Sequence, residues 1–84
     1  MIMRESAVPP WRQIAGHLRD QIERGELPPG TRLPPILALA ADYGVAAVTV
    51  RKALAELREE GLITSVSGWG TFVSGNGTPS PPKP

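Results

Sequence analysis

The chain is short of the residues on which several kinds of protein site depend. Its 84 residues include no cysteine and a single histidine, His17. Disulfides and cysteine-based zinc sites are therefore excluded, and a histidine-rich metal cluster is not expected. No apolar run is long enough to span a membrane, and no secretory signal follows Met1. We therefore expect a soluble, cytoplasmic protein with no bound metal or cofactor.

The chain also lacks the residue sets that enzymes use. It has no Ser–His–Asp set, no pair of carboxylates in an apolar setting and no glycine-rich phosphate loop after a strand. Glu59 and Glu60 lie side by side, and we interpret them as the solvated end of a helix. At this length the chain forms one domain at most. A small binding domain is expected rather than an enzyme.

The chain also has almost no excess of positive over negative charge. The net charge is only +1, and the nine basic residues are scattered along the chain rather than gathered in a tail. This is a weak balance for a nucleic-acid-binding protein, whose affinity comes largely from neutralising phosphates. The local placement of the basic residues therefore matters more than their sum.

Helical periodicity covers three segments. The first begins at Pro10, which suits a first helical position, and Gly25 closes it as a left-handed residue would. The second segment covers residues 36–43 and the third residues 47–60, with Gly61 closing the third. The expected buried side chains of the first and third helices are Trp11, Ile14, Ala15, Leu18, Ile22, Val50, Ala53, Leu54 and Leu57.

Short strands follow the helices. Residues 62–66 and 70–73 are predicted to form a β-hairpin with Trp69 near its tip. A further short strand is predicted at residues 31–33. The order predicts a mainly α fold with a small antiparallel β-sheet, a winged helix-turn-helix of three helices plus a β-hairpin wing, within residues 9–74.

The two ends of the chain differ from this domain in sequence pattern. Residues 1–8 show no period, and we expect a flexible N-terminal arm. Residues 75–84 are rich in proline and lack apolar side chains, so we expect a disordered tail.

Residues 44–54 carry the strongest functional signal. Gly44 separates the second helix from the third, and the third starts with small side chains before the basic pair Arg51 and Lys52. The second helix of such a pair can lie in the major groove of DNA. A narrow first turn allows close approach to base edges, and Arg51 can reach a phosphate or a guanine.

Short motifs recur at fixed spacing along the chain. They are WRQIA at 11–15, GELPPGTRLP at 25–34, LA at 39–40, GV at 44–45, TVRKAL at 49–54, Leu57, EGLI at 60–63 and GTFV at 70–73. In this combination the chain resembles the N-terminal domain of GntR-family bacterial transcription regulators. The resemblance implies a winged helix that binds operator DNA, usually as a dimer on a palindrome.

Several positions depart from the family pattern. Residues 35–37 are Pro-Ile-Leu where the family usually has Ser-Glu-Arg, and Ala46 and Ala47 stand where it has Ser or Thr and then Arg. Trp69 stands where a basic wing residue is common. Fewer cations imply a smaller salt dependence, and each lost serine cap costs about 1 kcal/mol. We therefore expect DNA binding that is weaker, or differs in sequence preference, compared with a typical member.

A set of positions in the third helix and the wing is predicted to contact DNA. Small side chains at the helix start, with Val48 beside them, either touch thymine methyl groups or have no role. Thr49 either donates to a phosphate or bonds back within its helix, and Lys52 either binds a phosphate or does not touch DNA. The predicted DNA-binding residues are Ala46, Ala47, Thr49, Arg51, Lys52, Gly68, Trp69, Gly70 and Thr71.

Three of the larger side chains have a structural alternative. Arg51 could instead pair with Glu56 or Glu59. Trp69 could fold back over the core rather than lie exposed at the wing tip. Arg32 could hold a phosphate, but pairing with an acid on the first helix is favoured.

Two hypotheses for function remain at this stage. The first is a sequence-specific, DNA-binding transcription regulator whose partner is a palindromic operator bound by a homodimer. The second is a winged helix turned to protein–protein contact, which the apolar Ile36–Leu37 pair and Trp69 would favour. In the family a second domain senses an effector, and none is visible here, so we expect either a minimal regulator or part of a longer chain.

Overall fold

The computed structural model describes residues 7–74 as three helices followed by a two-stranded antiparallel sheet. The predicted tail and most of the predicted arm lie outside the described residues. The elements are α1 (Pro10–Glu23), α2 (Ile36–Tyr43), α3 (Ala47–Glu59), β1 (Ile63–Val66) and β2 (Gly70–Val73). The predicted architecture of three helices plus a hairpin is confirmed. None of the described helices is both long and apolar enough to cross a bilayer.

The turn between α2 and α3 depends on Gly44. This residue has φ 69°, in the left-handed region that a side chain disfavours. The next N–H, that of Val45, donates to the Ala40 carbonyl at 3.0 Å and so satisfies the open end of α2. The chain thereby reverses within a few residues, which brings the start of α3 to the surface next to α2.

Helices α2 and α3 both begin without a side-chain cap. The N-cap residues are Pro35 and Ala46, and neither accepts a hydrogen bond through its side chain. The expected loss of capping is therefore confirmed at both helices. The start of α3 is correspondingly weaker than one capped by serine or threonine.

The core lies between α1 and α3 and is closed by the hairpin. Ile14, Val50, Leu57 and Val73 are fully buried, and none of the residues described in the core is polar. Burial of such side chains supplies most of the stability of a domain this small. The complete buried set is Ile14, Ala15, Leu18, Leu33, Leu39, Ala40, Val50, Ala53, Leu54, Leu57, Ile63 and Val73.

The predicted strand at residues 31–33 is wrong as a strand, although its neighbourhood is right. Only Arg32 forms a bridge, opposite Phe72 of β2. Two backbone hydrogen bonds flank it, from Leu33 to Thr71 and from Val73 to Thr31, each 2.8 Å long. Prolines on both sides confine the pairing to this point. The consequence is that Arg32 lies beside the wing.

Glu60 is exposed at the end of α3, as the sequence suggested, but it is also paired. Arg19 of α1 donates to it through two nitrogens, with Nε 2.7 Å from Oε1. That hydrogen bond lowers the pKa of the Glu60 carboxyl below its ordinary value. The interaction fastens the end of α3 to the middle of α1.

His17 also forms a contact between helices. Its Nδ1 lies 2.6 Å from the Tyr43 hydroxyl, and the two rings meet edge to face. Burial, followed by the nearby Asp42 carboxylate, raises the pKa of the Tyr43 hydroxyl. This pairing ties α1 to the last residue of α2.

Candidate nucleic-acid interface

The exposed face of α3 centres on Val48. In a helix each residue turns by about 100°, so positions three and four apart share a face. Val50 and Leu57 are buried, whereas Val48 is 66% exposed, and Arg51 and Lys52, three and four residues further on, are exposed too. The first two turns of α3 thus present one aliphatic and two cationic side chains together.

Arg51 has no acidic partner within residues 7–74. The alternative in which it pairs with Glu56 or Glu59 is not adopted, because the ion pairs there involve other arginines. An unpaired guanidinium on an exposed helix face keeps all five of its N–H donors available. Such a group suits a phosphate or the acceptor pair of a guanine.

Lys52 faces a different neighbour. Its Nζ lies 5.0 Å from the ring centre of Trp11, and the guanidinium carbon of Arg12 lies 5.6 Å from the same ring. Cations over an aromatic face are attracted by the quadrupole of the ring. Trp11 also packs against the core, as expected. The two cations on one ring extend the basic surface of α3 onto the start of α1, which the sequence analysis missed because the contact joins distant segments.

The apolar pair Ile36–Leu37 at the start of α2 is only partly exposed. Ile36 packs against the core, whereas Leu37 is 75% exposed. At the start of α3, Ala46 is exposed and Ala47 half-buried. The beginnings of both helices therefore present small or aliphatic groups at positions where the resemblance predicted arginine. Thr49 is half-buried, and its hydroxyl has no hydrogen bond among the described residues.

Trp69 lies in the turn of the hairpin, as predicted. It is 36% exposed and is not among the side chains packed against the core, so the alternative in which it covers the core is wrong. Gly68 beside it has φ 80°. The wing thus ends in an accessible aromatic group.

The base of the wing is shaped by Gly70 and Arg32. Gly70 has φ 114°, and a Cβ built on it would lie 2.8 Å from Arg32 Nε. Arg32 forms no ion pair within the part of the chain that the structure describes, so the favoured pairing with an acid of α1 is wrong. Thr71 is half-buried, with its hydroxyl 3.5 Å from that of Ser65. Arg32 therefore rests against the wing with its charge uncompensated.

Paired and unpaired basic side chains occupy different parts of the molecule. Arg19 and Arg24, both on or at the end of α1, are tied to acids, Arg24 to Asp20 at 2.9 Å and Glu26 at 3.2 Å. Four of the five basic side chains without an ion pair among residues 7–74 lie at the start of α1, in the first half of α3 and beside the wing: Arg12, Arg32, Arg51 and Lys52. The fifth, Arg58 in the last turn of α3, donates to the Ser65 hydroxyl. A net charge of +1 therefore conceals a locally cationic surface.

Known proteins resemble this chain in sequence. The family model for bacterial regulatory proteins of the gntR family matches residues 10–73. The chain is 51% identical over 65 residues to the mannosyl-D-glycerate transport/metabolism system repressor MngR of Escherichia coli, covering 77% of this chain and 27% of MngR. It is 42% identical over 73 residues to the transcriptional repressor NagR of Bacillus subtilis, covering 87% of this chain and 30% of NagR. The chain thus spans less than a third of these relatives.

Solved structures agree with the same assignment. YtrA from Sulfolobus acidocaldarius, a GntR-family transcription factor, superposes with a TM-score of 0.83 at 39% identity, over 90% of this chain and 80% of YtrA. The DNA-binding domain of AraR in complex with operator ORX1 superposes with a TM-score of 0.78 at 33% identity, over 86% and 87% of the two chains. The hairpin after α3 is therefore the wing of a winged helix. The chain belongs to the GntR family of bacterial regulatory proteins.

Proposed function

We propose that this domain binds double-stranded operator DNA in a sequence-specific manner and is the DNA-reading part of a transcription regulator. The observation that carries the proposal is the likeness of nearly all of the described chain to the AraR domain solved on its operator. The unpaired cations around α3 supply the electrostatic attraction that such binding requires. The comparisons give no support to the alternative of a protein-binding module.

In this proposal α3 enters the major groove. Arg51 binds a phosphate or a guanine, and Thr49 donates to a phosphate. Lys52, held over Trp11, contacts the backbone at the edge of the groove. Ala46 and Ala47 allow the start of the helix to approach the bases closely.

The wing lies on the adjoining backbone or minor groove. Gly70 and Thr71 offer backbone N–H groups and a hydroxyl at its base, and Gly68 permits the turn. Trp69 contributes an exposed ring that can lie along a sugar or a groove wall. Arg32, which was not among the predicted contacts, adds a phosphate-binding cation beside Gly70.

We further infer that two copies bind a palindrome, because one domain of this size reads too few bases for a specific affinity. The domain acts in the cytoplasm, where the DNA is, and works by binding rather than by catalysis. The relatives are transcriptional regulators, which are not enzymes.

Selection from a random DNA pool at physiological salt tests the proposal. The expected product is a palindromic site. Its inverted repeat would show two-fold symmetry, and the distance between the repeats would give the half-site spacing. Affinity for that site should fall with salt, with a slope of roughly −3 to −4 per bound copy if Arg12, Arg32, Arg51 and Lys52 each meet a phosphate. A pool that yields no enriched sequence, or an affinity that salt leaves unchanged, would rule out the proposal.

A further inference from the structure

Val48 is an aliphatic side chain at an exposed helix position, where a polar side chain is more usual. It is 66% exposed in the first turn of α3, directly opposite the buried side chains Val50 and Leu57. A valine does not raise helix propensity, and here it contributes nothing to the core. Val48 is therefore available for contact with a partner without cost to the core.

The neighbours of Val48 define what it can meet. Arg51 and Lys52 lie one turn further along the same exposed face, so a polyanion held by these cations would be brought against Val48. The preceding residues Ala46 and Ala47 add methyl groups and no hydrogen-bonding side chain. Apart from the half-buried Thr49, the leading turn of α3 is therefore apolar, and the cations begin in its second turn.

The chemistry of the major groove gives this apolar turn one preferred partner. Adenine, guanine and cytosine present donors and acceptors there, and only thymine presents a methyl group, on C5. An aliphatic side chain placed against a donor or acceptor would strip it of water without replacing the hydrogen bond. Valine also has few rotamers to lose, which favours a fixed contact.

We propose that Val48 is a specificity-determining residue that reads thymine through its 5-methyl group. The inference rests on the proposed function, since it names the base that the same surface recognises. Ala46 and Ala47 allow the close approach, and Arg51 holds the adjoining phosphate or base. The recognition turn thus selects an A·T pair at this point of the half-site through an apolar contact.

The test uses the full 84-residue chain and duplexes of the site selected from the random pool. Thymines are replaced one at a time by deoxyuridine, which keeps base pairing and removes only the 5-methyl group. At one position of each half-site we expect the Kd to rise about fourfold, which corresponds to the burial of one methyl group. The replacement at other thymines should leave the Kd unchanged.

Two variants identify the reading side chain. In Val48→Ala the difference between thymine and deoxyuridine should disappear, while the residual affinity should keep its dependence on salt. In Val8→Ala, which makes the same change at an exposed valine ahead of α1, the difference should remain. Circular dichroism checks that both variants are folded, and alanine favours the helix at position 48.

The outcomes separate this inference from the proposed function. Specific binding with equal Kd for every thymine and deoxyuridine duplex overturns the thymine contact and leaves the DNA-binding proposal intact. A methyl preference that survives in Val48→Ala overturns the role of Val48. An absence of any enriched site overturns the proposed function, and the inference fails with it.

Discussion

Arg51 is the side chain on which the strength of DNA binding should depend most. It is exposed, central to the cationic face and without an ion pair among the described residues. We expect Arg51→Ala to weaken binding to the selected site by about 1–3 kcal/mol, or about 5- to 150-fold, measured by fluorescence anisotropy. Arg24→Ala is the matched control, because that arginine is exposed but tied to Asp20 and Glu26. Equal losses in both variants would contradict a specific role for Arg51.

Gly70 combines two demands that alanine cannot meet. Its φ of 114° strains any L side chain, and a Cβ would collide with Arg32 Nε at 2.8 Å. We expect Gly70→Ala to lower the free energy of unfolding by about 1–2 kcal/mol from backbone strain, with a further loss from displacing Arg32. Urea denaturation measures the change.

Gly68→Ala separates these two effects. Gly68 also has positive φ, at 80°, but a Cβ there meets no atom within 4 Å. The loss in Gly68→Ala should therefore be the smaller one, and adding Arg32→Ala should recover part of the loss in Gly70→Ala. The interpretation fails if the two glycine variants lose equal stability and Arg32→Ala recovers nothing.

The start of α3 is the element whose stability is easiest to improve. Ala46 has the extended conformation of an N-cap residue but no side-chain acceptor for the open N–H groups. Ala46→Ser should supply that acceptor and raise the free energy of unfolding by about 1 kcal/mol, measured by thermal denaturation. Ala41→Ser makes the same change at an exposed position inside α2, where serine should be neutral or slightly destabilising. A gain at position 41 that equals the gain at position 46 would refute capping as the cause.

The elements differ in how far the sequence determined them. The helices and the hairpin were predictable within one residue at most ends, because a glycine or proline lies at or within three residues of each boundary and the apolar period lies within the element. The single bridge at Arg32, in place of the predicted strand at residues 31–33, was not predictable, since it depends on pairing with Phe72, some forty positions away.

The candidate site was predictable in part for the same reason. The exposed face of α3 follows from its helical period. The contact of Lys52 with Trp11 and the place of Arg32 beside Gly70 join segments that no local pattern connects. Exposure of Leu37 rather than Ile36 also required the packing of α2 to be known.

At the scale of the whole molecule, the pair of Arg19 and Glu60 links stability to pH. The pKa of Glu60 is lowered from 4.5 in the folded state, so its contribution is present above that value and is lost as pH falls through the lowered one. We expect Glu60→Gln to lower the melting temperature at neutral pH, with the difference from the wild type shrinking as the pH falls below 4.5. The change in melting temperature should be modest, because the Arg19 and Glu60 side chains are both partly exposed.

The neighbouring Glu59→Gln serves as the control for this pH dependence. Glu59 is exposed and forms no ion pair within residues 7–74, so its substitution should change the melting temperature little at any pH. A deficit in Glu60→Gln that persists undiminished in acid would show that the side chain stabilises the fold by packing instead.

Helix α3 carries its charges unevenly along its length. Arg51 and Lys52 lie in its first half, whereas Glu56 and Glu59 lie in its second half together with Arg58, which donates to Ser65. The first half of the helix is therefore positive and the second half slightly negative. Because the net charge is only +1, this separation of charge acts mainly as a dipole, and the electrostatic field of DNA would orient the protein before contact. More of the encounters would then begin with the start of α3 facing the DNA.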